Sequence, residues 1–322
     1  MGPGLTQSDE EASHNRIKTS GVRGLNALIA TLTTKSTAPV IVAQRLRKGS
    51  CGSPRGAKRL VTDALTTVKR LRPHPAGTKV LFRADSAFYG RGPVLAAVRA
   101  GAQVSVTVRL DPRVRAAIAA IGDDGWQPIE YTNAVFDQAT GAWISTAEVA
   151  EIPFTAFAAQ KKTDQVPGRL VVRRIPDLNP HLGQATLFET WRFHAFFTTS
   201  TLDTVAADKT HRGHAIIEQV HADLKNSALA HLPSGKFTAN AAWLVLAVMA
   251  FNLTRAAATL AGPAMGKATT ATIRRKLVHV PARIASSARR LTLHLPRAWP
   301  WENAWTTLFT GLCAPPPATA MT

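Results

Sequence analysis

The sequence predicts an α/β protein with a mixed sheet, an inserted antiparallel β subdomain and a helical C-terminal part. Three observations predict it. KVLFRADS, PVLAAVRAG and QVSVTVRL read in order as strand, helix and strand, the pattern of a β-α-β unit with a right-handed crossover. From about residue 120 to 200, short β-prone runs follow one another without strong helical spacing. Helical spacing returns at His211 and runs to about Leu260, with breaks near Pro233 and Pro263.

The elements follow in order. Residues 1–20 have no apolar periodicity and read as a disordered lead. LNALIATLT and APVIVAQRL are strand candidates that pair across the turn-like TKST. Between Gly56 and Arg72, Leu60, Val61, Ala64, Leu65, Val68 and Leu71 recur at helical spacing, after Ser53 as N-cap and Pro54 in the first turn. Val80, Leu81 and Phe82 form a buried strand that delivers Asp85 at its end. Pro93 opens the short helix, and Val104, Val106 and Val108 alternate along the next strand. PIEYTNAVF, AWISTAEV, GRLVVRRI and FHAFFTT are the strands of the insertion, separated by Asp, Gly and Pro. The apolar run Ala241 to Phe251 falls short of the ~20 residues that span a bilayer, so it reads as a buried core helix and no membrane partner is expected. PPP at 315–317 marks a frayed end, and no internal repeat is evident.

Charge narrows the partner. The 322 residues hold 39 Lys+Arg against 20 Asp+Glu, a formal net charge of +19, while 45% hydrophobic content supplies a core. Between Arg45 and Ala84 there are 11 Lys/Arg and one acid, Asp63; from Leu224 to Trp301 there are 11 and no acid. From Ala116 to Gln160 the sign flips to six acids without a Lys or Arg. Two basic blocks flanking an acidic one draw polyanions, so nucleic acid is the first partner to consider beside a generic basic surface. Cys51 and Cys313 stand 262 positions apart and no secretory leader is evident, which excludes a disulfide scaffold and makes a reducing cytoplasm the expectation.

HRGHAIIEQVHADLKN carries the richest chemistry. On one continuous helix, His211, His214, Glu218, His221 and Lys225 occupy an arc of roughly 80°, opposite Ile216, Ile217, Val220 and Leu224. A solvated helix face would give the same pattern. A zinc site from His214, Glu218 and His221 lacks the HExxH spacing. Asp85 alone is an ordinary strand end. Paired with Glu218 it gains meaning, since metal-assisted phosphoryl transfer brings carboxylates from distant segments around divalent ions. In a basic chain that combination points to a polynucleotidyl transferase.

RADSAFYG, HRGHAIIEQVHADLKN, FTANAAWLVLAVMAFNLTRA, GVRGLNALIATL and QRLRKGS together resemble DDE-type insertion-sequence transposases, in the branch numbered thirteen-eighty. The resemblance runs from Gly21 essentially to the C-terminus. It implies a ribonuclease-H-like catalytic fold in two parts, 21–115 and 201–262, split by the β-rich acidic insertion 116–200 and followed by a basic region 263–322. The family's second and third catalytic acids fall on Asp85 and Glu218, which would hold two Mg²⁺ (or Mn²⁺) ions. Its Tyr, Arg, Glu and Lys signature maps onto His211, His214, Glu218 and Lys225, with Arg212 standing in for the replaced Arg. The four residues His211, Arg212, His214 and Lys225 would contact DNA. The implied partners are double-stranded DNA, as element ends and target, and a second copy of the chain. The implied setting is the nucleoid of a bacterial cytoplasm.

The family places its first Asp on an opening apolar strand. Asp9, Glu10 and Glu11 lie instead in a polar stretch, so the chain is expected to lack that core strand and to be truncated, with little cleavage activity. The alternatives are a catalytically dead DNA-binding remnant and a metal-dependent nuclease without strand transfer. RKGSCGSPRG reads as a basic turn rather than a phosphate loop. Trp126, Trp143 and Trp191 fit packing better than base stacking, and Trp299, Trp301 and Trp305 read as a packing anchor.

Overall fold

The computed structural model describes residues 24–34, 38–52, 54–71, 79–137, 142–176 and 191–313. The predicted lead 1–20 with Asp9, Glu10 and Glu11, the cap Ser53, most of TKST and the PPP segment lie outside the described residues. In chain order the elements are β1 (Leu25–Leu32), β2 (Val40–Lys48), α1 (Ala57–Leu71), β3 (Leu81–Ala84), α2 (Arg91–Arg99), β4 (Gln103–Thr107), α3 (Pro112–Ala119), β5 (Gln127–Asp137), β6 (Ala142–Ala156), β7 (Val166–Pro176) and β8 (Trp191–Thr198). Then come α4 (Thr204–Arg212), α5 (Ile216–Lys225), α6 (Phe237–Leu260), α7 (Pro263–Gly266), α8 (Thr270–Ile273), β9 (Arg283–Ser287), β10 (Arg290–His294) and α9 (Glu302–Cys313). The protein is mixed α/β, and its contacts divide it into two units, Gly52–Ala215 and Met1–Cys51 with Ile216–Thr322.

The unit Gly52–Ala215 is built on a six-stranded sheet of order β3-β4-β8-β7-β6-β5. β3 and β4 run parallel, with α2 as the crossover that parallel neighbours need, and the other neighbours are antiparallel. The strands expected as a separate insertion therefore extend the same sheet as the β-α-β unit, because β8 pairs directly with β4. Alternation decides the two faces. Val104 and Val106 of β4 join Leu170, Val172, Ala195 and Phe197 in a core that also takes Val61 and Leu65 of α1, Val94 of α2 and Val114 of α3. Each fully buried Leu or Phe there, such as Leu170 and Phe197, contributes about 1.5–3 kcal/mol. The opposite face packs Val171 and Phe196 against Ala207 of α4. Helix α3, not expected from the sequence, starts where Asp111 Oδ1 accepts from Val114 N at 2.9 Å and Pro112 takes the first turn.

In the unit Met1–Cys51 with Ile216–Thr322, the expected pair β1–β2 forms an antiparallel hairpin with a bulge between Ala30 and Thr31. Ile41, Val220, Leu224, Leu229, Leu244, Ala247 and Phe251 form its core. Helix α6 is longer than the apolar run suggested, at 24 residues, and length and composition alone would let it cross a bilayer. The expected buried core helix is buried on one side only: Leu244, Ala247 and Phe251 enter the core, Val245, Leu246 and Met249 are exposed, and the inner face is tied to the hairpin. Asn252 Oδ1 accepts from Ile41 N at 2.9 Å and Asn252 Nδ2 donates to Ile41 O at 2.7 Å, completing the backbone pairing of β2. Three residues on, buried Arg255 donates to Asp223 Oδ2 at 2.9 Å and to Thr270 Oγ1 at 2.6 Å, which binds α5, α6 and α8 together. Burial pushes its guanidinium below the ordinary arginine value and Asp223 opposes that. Trp301 and Trp305 pack on the cluster of Ala258, Met265, Ile273 and Leu277, as a C-terminal anchor would.

Gly49 must be glycine. A Cβ there would lie 2.5 Å from Gly24 O, to which Gly49 N donates at 3.0 Å, and the RKGSCGSPRG segment begins as a backbone turn closed by Cys51 N on Lys48 O.

Candidate active site

Asp85 ends β3, as its apolar lead-in predicts. Its backbone is extended, with φ −77° and ψ −179°, and its Oδ1 accepts from Ala87 N at 2.8 Å to cap a 3₁₀ turn over Ser86–Phe88. Behind it, Tyr89 stacks on Phe157 with ring centroids 5.4 Å apart, and burial raises the Tyr89 phenol to about 12. The carboxylate is thus half-buried and oriented by its own turn at the C-terminal end of a parallel strand.

Two residues earlier on β3, Arg83 Nη1 donates to Thr210 O at 2.7 Å, tying the strand to the last turn of α4. Burial lowers the guanidinium below its ordinary value. Gly213 leaves room for it, since a Cβ there would stand 2.7 Å from Arg83 Nη1.

The single helical stripe expected from His211 to Lys225 is broken in the structure. Helix α4 stops at Arg212, a 3₁₀ turn covers Gly213–Ala215, and α5 begins at Ile216. Only Glu218, His221 and Lys225 share a face of one helix, and the two earlier histidines lie outside it.

His211 is 6% exposed. Its Nδ1 is 2.9 Å from Ser105 Oγ and its Nε2 is 3.0 Å from Thr107 Oγ1, while the ring stacks on Phe196 at 4.0 Å between centroids. Both ring nitrogens are engaged inside the unit, a different setting from the expected DNA contact. Desolvation, then His214, Arg173 and Arg83, bring its pKa down to about 3, so the ring is neutral near pH 7. His214 Nδ1 donates to His211 O at 2.7 Å. Arg212 Nε donates to buried Asp208 Oδ2 at 2.8 Å, and Arg173 Nη1 lies 3.7 Å from Asp208 Oδ1.

Glu218 is exposed in the first turn of α5, where the helix dipole favours a carboxylate. Lys225 sits in the last turn, where the same dipole favours a cation. Between them His221 is lowered by desolvation and then by Lys225. Val220 and Leu224 anchor the other side of α5 in the core.

Asp85 belongs to the unit Gly52–Ala215, and Glu218 and Lys225 to the other. Among the described residues no group of three or more His, Cys, Asp or Glu side chains could hold a metal ion.

A family model described as transposase DDE domain group 1 matches residues 36–315, well over half of the chain. The chain belongs to the DDE transposase family. That membership supports a transposase function and an enzyme of that class, with DNA as the general partner, and DDE transposases generally use divalent metal ions. The match takes in Asp85 and Glu218 and begins downstream of Asp9, Glu10 and Glu11. No match is found among curated proteins.

Sequence reasoning missed the polar set where this transposase's α4 meets the sheet: buried Ser105 and Asp208 with half-buried Arg83, Thr107 and Arg173. A signal existed. Ser105 and Thr107 alternate with the core valines of β4, which puts them on the sheet face that α4 covers. The tryptophans of the expected insertion divide. Arg174 lies over Trp126 at 4.2 Å and over Trp191 at 4.4 Å, a packing role, and Trp143 lies in β6.

Proposed function

We propose that this chain is an insertion-sequence transposase of the branch numbered thirteen-eighty, with a ribonuclease-H-like catalytic core, that cuts phosphodiesters at element ends and transfers the freed 3′-OH to target DNA. The observation that carries the reading, given the family, is the placement of the two acids. Asp85 is fixed by its own cap at a strand end, and Glu218 is presented to solvent from a helix whose other side is locked in the core.

Asp85 and Glu218 are the residues that would hold Mg²⁺ or Mn²⁺; carboxylate oxygens are the hard donors those ions take, so the donor type fits. The bound ions would supply charge neutralisation at the phosphate and an activated water. The chain's own residues position the substrate. Arg212, His214 and Lys225 meet phosphate, while His211 stays neutral and packs the end of α4 on the sheet. The chain works as a homodimer on paired DNA ends, in the cytoplasm at the nucleoid.

A second reading, a DNA-binding remnant that does not cut, is favoured by the lack of a three-acid cluster among the described residues. Strand cleavage on duplexes carrying the element's ends separates the two. Mg²⁺-dependent cutting that Asp85→Ala and Glu218→Ala each reduce by at least about 100-fold supports the transposase; binding without cutting supports the remnant.

A further inference from the structure

The ribbon β9–β10 lies within the stretch from Leu224 to Trp301 that holds 11 Lys/Arg and no acid. Its strands pair antiparallel with Arg283 opposite His294, Ala285 opposite Thr292 and Ser287 opposite Arg290, while Ile284 faces Leu293 and Ser286 faces Leu291. Cross-strand partners share a face. One face therefore carries Arg283, His294, Thr292 and Arg290, and the other carries Ile284, Leu291 and Leu293. Nearly every residue of both strands is exposed; Ile284 is 70% and Leu291 78% accessible. The connection is the two residues Ala288 and Arg289, and Ala288 sits at φ +53°, a conformation that costs a non-glycine residue on the order of 1 kcal/mol. It places a third guanidinium at the tip.

A bare two-stranded ribbon is marginal in water, so this one gains most when a partner covers it. Charge selects the partner. A second copy would bring Arg against Arg with no acid in the ribbon to offset them, whereas a polyanion meets three guanidinium groups. Shape selects further. Five residues per strand span about 17 Å, the strands lie about 4.8 Å apart, and the major groove of B-DNA, about 12 Å wide, admits either an α-helix or a two-stranded ribbon.

We propose that the Arg283–His294 ribbon is a DNA-reading element that lies in the major groove with its Arg283, Arg290 and His294 face toward the bases and phosphates. The inference rests on the reading of the chain as a DNA transposase and adds the element that grips the duplex. Arg283 and Arg290 have the fork geometry that reads guanine O6 and N7, and Arg289 at the tip reaches backbone phosphate.

The test uses the full chain with a labelled mixed-sequence duplex of about 24 base pairs, titrated over a range of NaCl concentrations, together with dimethyl sulfate protection of guanine N7. Removing two phosphate or base contacts in Arg283→Ala/Arg290→Ala should flatten the slope of log K against log salt by about 2 and weaken binding roughly 10- to 100-fold, with an unchanged melting curve. Arg283→Lys/Arg290→Lys should keep the slope and lose the N7 protection. An unchanged slope in the alanine variant, or N7 protection that neither variant alters, overturns the ribbon while leaving the transposase reading standing. A wild-type chain that binds no duplex removes both. Loss of binding to phosphatidylserine vesicles in the alanine variant, with its DNA slope unchanged, assigns the ribbon to a lipid surface and overturns the proposal.

Discussion

The end of α4 and the start of α5 are separated by three residues, yet their ionisable groups live in opposite environments. At the end of α4, Asp208 and His211 are buried under the sheet and bonded to Arg212, Ser105 and Thr107 of the same unit. At the start of α5, Glu218 is exposed over a helix that spends its apolar side on the core. The break at Gly213–Ala215 makes the difference, because it ends the regular rotation that would otherwise carry His211 and Glu218 on one stripe. Polar residues grouped by spacing thus divide into a structural set and a presented set.

The largest expected effect lies in the structural set. Asp208→Ala leaves Arg212 and Arg173 without their shared carboxylate beside a closed sheet face, and unfolding by denaturant should show a loss of about 3 kcal/mol. A loss under 1 kcal/mol would move Asp208 out of that set.

His211 gives the next effect, through pH. Its folded pKa, about 3, lies below the unfolded value of 6.5, so the unfolded chain binds the proton first and the neutral ring's stabilisation, complete above pH 6.5, drains away as pH falls toward 3. Between pH 6.5 and 5 this amounts to on the order of 2 kcal/mol. The variant His211→Asn should melt at a temperature that depends less on pH over that window. Equal pH dependence in both proteins would show that the ring is not held neutral.

Much of the scaffold was legible. Apolar runs and helical spacing located β1, β2, α1, β3, α2 and β4, and Asp85 at a strand end, because burial writes itself into period and composition. The helix break was not legible, since His-Arg-Gly-His-Ala contains no proline and its glycine keeps a helical φ of −64°. The β9–β10 ribbon escaped for a related reason: its turn, Ala288–Arg289, lacks the Gly or Asn that normally marks a hairpin. The polar lining around His211 was hidden in the alternate positions of β4, where only the packing of α4 gives Ser105 and Thr107 a partner.

The smallest effect on stability belongs to the presented set. Glu218→Ala should change the unfolding free energy by no more than about 0.5 kcal/mol, measured by the same denaturant titration, because an exposed carboxylate at a helix N-terminus contributes little. A loss of 2 kcal/mol would class Glu218 with Asp208 as structural.

The proposed function rests most directly on Asp85 and Glu218 both holding the divalent ions that phosphoryl transfer needs. Iron(II) in place of Mg²⁺, with ascorbate and peroxide, cuts the polypeptide next to bound metal, and mass spectrometry of the fragments locates the cuts. The account predicts cleavage beside Asp85 and beside Glu218 in the same preparation, both lost in Asp85→Ala and both lost in Glu218→Ala. Cuts at one segment that survive removal of the other acid would contradict it.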